Sequence, residues 1–231
     1  MTSRLLTLAA TSTLLCTLCA AAQSNVRPAA GKVTASTQDL SWLRKYTAEA
    51  DSGSDGDENG MVIGDKRFRP MVARFLHGPQ LFWGHLTLAD AVVNFLSVPG
   101  KAVVTQSRYI TTNGCVPHYC QDQGFLWIDT KLPQQMIFVA KVGMHSKTQK
   151  TAGPQAYHLW IFCSTHIDDY DVYELKLPTP FLSSLQQWLA ERGPDEKPDT
   201  VDSASFVQPD GQISPIFPND LQSTDVQQIQ H

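Results

Sequence analysis

Six consecutive residues carry most of the chemistry this sequence offers: Cys115-Val116-Pro117-His118-Tyr119-Cys120. The two cysteines are spaced so that one disulfide would close a small ring. Pro117 fixes its own φ at about −65° and biases Val116 toward extended backbone. A closed ring would therefore hold His118 at the apex of a stiff protrusion. A ring this short stabilises a chain by only about 2 kcal/mol, so orienting the imidazole is its better use. The bland counterpart is a surface disulfide with an incidental histidine. Two further chemistries draw on the same residues. Cys115, His118 and Cys120 could supply three metal ligands, with Cys163, His145 or His158 completing a tetrahedral set, although a rigid proline makes that set cramped. Cys120 could act as a thiol nucleophile activated by His118, yet no third orienting group is visible.

A second cluster of oxygen ligands lies upstream. Asp55-Gly-Asp57-Glu-Asn59-Gly60 matches the front half of a calcium loop, with side-chain oxygens at alternate positions and a glycine for the sharp turn. The loop's twelfth position is Lys66, where a bidentate glutamate should sit. A cation in place of the strongest ligand makes a solvated acidic linker the better reading. The sequence has no Gly-x-Ser-x-Gly elbow, His-Glu-x-x-His motif, phosphate-cradling glycine loop or Cys-x-x-Cys redox pair. Nothing in it predicts an enzyme or a cofactor. The formal net charge of −4 argues against nucleic acid, which needs a basic footprint.

The elements that must position the cysteine loop follow from periodicity. Residues 1–22 read as a secretory signal peptide: Arg4, then an apolar run to Leu18, then Ala20-Ala21-Ala22 as a cleavage site. No later stretch approaches the about 20 apolar residues of a membrane span. The signal predicts export to the periplasm, or secretion, where Cys115 and Cys120 would be oxidised. Residues 23–60 form a leader with one short helix over Asp39–Ala50 and the acidic linker. Helical spacing returns over Arg67–His77. Thr87-Leu88-Ala89-Asp90 has the form of a capping box, with a strand over Ala91–Val98 as the alternative.

From Lys101 the texture is β. Ala102–Gln106 and Arg108–Thr112 are one bent strand or two short ones, and Phe125–Thr130, Met136–Val142 and Tyr157–Ser164 follow. The last is apolar on both faces, as a central strand would be. Short turns between successive strands predict an antiparallel meander, with the cysteine loop at a hairpin tip. A short strand over Val172–Leu177 is a further option. Phe181–Arg192 is an amphipathic helix. Residues 194–231 are polar and broken by proline, and are expected to be disordered. Cys163, in an apolar run, reads as a buried free thiol.

Cys115-Val-Pro-His-Tyr-Cys120 resembles the Cys-Lys-Pro-His-Asp-Cys loop of the Ivy family, periplasmic inhibitors of vertebrate lysozyme. The helix around Phe68–His77 with Leu81-Phe82-Trp83 is similar to that family's helix and its Leu-Pro-x-Trp element. Phe125–Asp129, Met136–Val142 and Leu159–Phe162 look like its strands, so the likeness covers roughly residues 67–164. It implies an α+β fold, a central antiparallel sheet of about five strands with helices packed on one side, and an inhibitor domain over residues 61–193. It also implies loop insertion into the cleft of a C-type lysozyme or related muramidase, with the histidine hydrogen-bonding both catalytic carboxylates, and a homodimer as an option. Carried over, His118 is the inhibitory residue, Pro117 shapes the loop, and Cys115 with Cys120 clamps it. Val116 and Tyr119 depart from the family's lysine and aspartate. The alternative is an envelope-stress or binding module of the same fold whose target is peptidoglycan or an endogenous murein hydrolase.

Overall fold

Four consecutive residues decide the layering. Phe125 and Trp127 point to one face of a strand, Leu126 and Ile128 to the other, and all four are buried. Such a strand has to be covered on both sides. The computed structural model describes residues 38–49, 62–78, 85–144, 157–167, 170–171, 174–191, 201–216 and 221. These belong to one compact unit spanning residues 35–231. The expected signal peptide, the calcium-loop candidates Asp55, Asp57 and Asn59, the Leu81-Phe82-Trp83 run and His145 lie outside the described residues.

In chain order, a 3₁₀ helix (Ser41–Tyr46) and β1 (Ala48–Glu49) are followed by α1 (Phe68–Phe75) and α2 (Leu88–Phe95). Next come β2 (Val98–Thr105), β3 (Tyr109–Val116), β4 (Tyr119–Asp129), β5 (Met136–Met144) and β6 (Tyr157–Cys163). A small ribbon, β7 (Tyr170–Asp171) with β8 (Glu174–Leu175), leads to α3 (Thr179–Glu191), β9 (Val201–Val207) and β10 (Ile213–Ile216). The main sheet has the order β1-β2-β3-β4-β5-β6-β9-β10. Strands β2 to β6 form the expected antiparallel meander. β1 joins β2 in parallel, β9 joins β6 in parallel, and β10 closes the edge as a hairpin with β9.

Three expectations are corrected. The sheet has eight strands rather than about five, and it is mixed rather than purely antiparallel. Helices cover both faces, not one. The 3₁₀ helix, α1 and α2 bury Leu43, Phe68, Met71, Val92 and Phe95 against Leu126, Ile128, Val139 and Phe162. On the opposite face α3 buries Phe181, Leu182, Leu185 and Trp188 against Phe125, Trp127, Phe138 and Ile161. Finally, the region expected to be disordered holds β9 and β10. Phe206, Val207, Ala204 and Ile216 are buried there, because β6 presents an open edge whose N–H and C=O groups need a partner. A strand added to such an edge gains ladder hydrogen bonds with few apolar side chains of its own.

The helix reading of residues 88–95 holds, with Thr87 as N-cap: its Oγ1 accepts the Asp90 N–H at 3.2 Å. The 3₁₀ helix is shorter than the helix expected over Asp39–Ala50. Tyr157–Cys163 is central, paired on both sides. Among the described residues no helix is long and apolar enough to cross a membrane.

Candidate functional site

The cysteine loop is the tip of the β3–β4 hairpin. Val116 pairs with Tyr119, which leaves Pro117 and His118 as a two-residue turn. His118 has φ +63°. Proline at the first central position and a left-handed residue at the second is the pattern of a type II turn, which usually places glycine or asparagine second. Histidine tolerates this region better than most side chains, yet it still sits there at a cost of about 1 kcal/mol relative to glycine.

Behind the turn, Cys115 and Cys120 form the expected disulfide, with Cα atoms 4.9 Å apart. Gln123 Nε2 donates to the Cys120 carbonyl at 3.1 Å, a local tie within β4 just behind the disulfide. On the α2 face, Lys141 Nζ and Asp122 Oδ2 pair at 3.0 Å, with side chains only 7% and 22% exposed. That pair joins the root of the hairpin to β5. A lone lysine in the apolar run Met136–Val142 was the signal that could have revealed a buried carboxylate partner.

Pro117, His118, Tyr119 and Cys120 are exposed, whereas Cys115 is buried and Val116 is half-buried against the α2-side core. Tyr119 and Val98, both 43% exposed, belong with Leu132 and Ile213 to the large apolar side chains left open to solvent among the described residues. Val98 pairs with Cys115. Tyr119 lies next to the imidazole at the tip, paired with Val116, whereas Val98 lies beside Cys115 on the α3 face of the sheet. Val98 escaped the sequence reading because it stands next to a Pro-Gly pair that reads as a stop.

The structure separates the alternatives. The disulfide consumes both thiols of the loop, so neither a thiolate metal set nor a Cys120 nucleophile can form from them. Cys163 is a buried free cysteine on β6. Burial pushes its thiol up to about 12, and the thiol is a donor to the Thr165 carbonyl; a thiol so placed is not a nucleophile. His158 is on β6 between two hydroxyls, Nδ1 2.7 Å from Ser203 Oγ and Nε2 3.1 Å from Ser205 Oγ. Among the described residues no group of three or more His, Cys, Asp or Glu side chains is arranged to hold a metal.

Comparison of the chain with protein-family models, curated proteins and solved structures finds no match. The functional reading therefore rests on the hairpin.

Proposed function

We propose that this chain is an exported inhibitor that blocks a C-type lysozyme, or a related muramidase, by inserting the Cys115–Cys120 hairpin into its active-site cleft. The observation that supports this is the left-handed, exposed His118 held at the tip of a disulfide-closed turn. Backbone strain at an exposed non-glycine residue points to a use for its side chain. Muramidase catalysis needs one carboxyl protonated and its neighbour ionised. An imidazole has nitrogens on opposite edges, both donors when protonated, so it can bridge such a pair and occupy the place of the scissile bond. The ring removes conformational freedom before binding, which lowers the ordering cost of association. Tyr119 adds aromatic contact beside it.

One observation favours a second target within the same mechanism. Tyr119 exposes an aromatic face where the resembled family carries a carboxylate, so the tip suits a more apolar or sugar-lined cleft such as that of an endogenous murein hydrolase.

The test is complex formation. The purified oxidised protein should form a 1:1 complex with C-type lysozyme in titration calorimetry, and a chito-oligosaccharide filling the cleft should compete. His118→Ala should weaken binding by at least about 2 kcal/mol, the scale of a lost hydrogen bond to charged partners. Unchanged affinity in that variant would exclude the imidazole as anchor.

A further inference from the structure

Behind the hairpin, on the α3 face of the sheet, lies an open groove of about 600 Å³. Its polar lining comes from Lys101, Asn113, Gln123 and Glu191, and the Cys115–Cys120 disulfide and Trp188 of α3 complete it. The groove exists because β2 bulges: Pro99 pairs with Gly114 and Ala102 with Thr112, so Gly100 and Lys101 stand opposite Asn113 alone. A bulge re-aims side chains at the edge of a sheet, and here it turns Lys101 out as one wall. Gly100 keeps the space open. A Cβ there would lie 1.9 Å from Asn113 Oδ1, so any other residue would drive the carboxamide out of its place.

We propose that this groove binds a short peptide, about three residues long, with a free carboxylate at Lys101 and a free ammonium at Glu191. The polar groups are uncommitted in the pattern such a ligand needs. Among the described residues Lys101 makes no ion pair, and the Asn113 carboxamide makes no side-chain hydrogen bond. Gln123 uses its Nε2 on the Cys120 carbonyl, which leaves Oε1 as an acceptor. Glu191 receives one bond from Gln187 Nε2 at 2.9 Å, on Oε1, which leaves Oε2.

The order of these groups across the groove is cation, amide, amide, anion, on β2, β3, β4 and the end of α3. Trp188 stacks on Phe125 of β4 at 5.2 Å, so α3 lies over β4. Strands β2 and β4 are two strand spacings apart, about 10 Å. An extended chain covers about 3.3 Å per residue, so three residues match the width of the groove from β2 to β4, with peptide groups beside Asn113 and Gln123. A glycan fits the lining less well. Trp188 is only 5% exposed, its face spent on Phe125, so no aromatic platform remains for a sugar ring. The inference does not rest on lysozyme as target.

The experiment is titration of the oxidised full chain with trialanine, N-acetyl-trialanine and trialanine amide, followed by calorimetry and by amide NMR shifts of Asn113 and Gln123. Trialanine should bind 1:1, and each capped form about tenfold more weakly, the effect of one lost charge-assisted hydrogen bond. Lys101→Met should erase discrimination against the amide while retaining that against the N-acetyl form, and Glu191→Gln should do the reverse. Both residues are exposed, and unchanged melting curves establish that the variants fold. Absence of trialanine binding, equal binding of all three peptides, or unaltered discrimination in both variants would overturn the proposal.

Discussion

At residue scale, the loop and the α1 entry show two different uses of a polar side chain. His118 is placed at a backbone cost and left open to solvent, and only the proposed function gives it a partner. Asp65 serves the fold. Its carboxylate accepts from Arg67 Nη2 at 2.7 Å, from the Arg67 N–H at 2.9 Å and from the Tyr46 hydroxyl at 2.7 Å, with Lys45 Nζ at 3.2 Å. The Arg67 guanidinium, then the Arg67 backbone, hold its carboxyl well below the usual carboxylate range. A depressed folded value means that the stabilisation is present above the unfolded pKa, about 3.9, and is lost as pH falls toward the folded value. The wild type should therefore lose Tm more steeply than Asp65→Asn as pH is lowered from about 4 to 2. Parallel curves would show that the cluster contributes nothing at this site. The cysteine spacing and Pro117 made the exposed place of His118 legible from the sequence; Asp65 was hidden because its partners are 19 and 20 residues upstream and two downstream, on separate elements.

At element scale, α2 and the hairpin are coupled through one glycine. Gly124 follows the hairpin on β4, and a Cβ there would lie 2.3 Å from Phe95 Cδ2 and 2.8 Å from the Phe95 carbonyl oxygen. The second contact is with backbone, so α2 itself would have to move. Gly124→Ala should cost about 1–3 kcal/mol, read as a lowered urea midpoint at unchanged slope; a neutral result would mean that α2 is not seated this closely. The capping of α2 by Thr87 could be read directly, because threonine followed three residues later by an acid has a local mechanism. The β2–β3 turn could not. Gln106 and Ser107 both have positive φ, +54° and +51°, a type I′ arrangement that normally announces itself by Asn-Gly. Arg44 donates to the Ser107 carbonyl at 2.6 Å, a tertiary contact no local pattern displays. Hence one bent strand and two short ones were equally good readings of Ala102–Thr112.

At the scale of the whole molecule, the antiparallel meander was legible from alternation and short turns, and the central place of β6 from its apolar run, whereas helices on both faces were not. The long return was not. α3 carries the chain across one face to set β9 beside β6, and β9 reads as polar because only Ala204, Phe206 and Val207 are deeply buried along it. Gln208 completes the joint: its side chain receives the Ile167 N–H at 3.2 Å and donates to the Ile167 carbonyl at 3.1 Å, as a backbone partner would. Phe206→Ala should cost about 3–5 kcal/mol. A loss below about 1 kcal/mol would show that residues 201–216 are not part of the cooperative unit.

The central claim concerns the imidazole at the hairpin tip, and His118→Gly separates function from folding. Glycine adopts the left-handed turn freely, so this variant should melt as high as the wild type or higher while losing its protection of peptidoglycan. The decisive measurement is the rate of muramidase-driven clearing of a cell-wall suspension, with oxidised wild type and His118→Gly at matched concentrations. Strong slowing by the wild type and none by the variant is the predicted result. Equal slowing by both, or none by either across C-type lysozyme and endogenous murein hydrolases, would contradict the account.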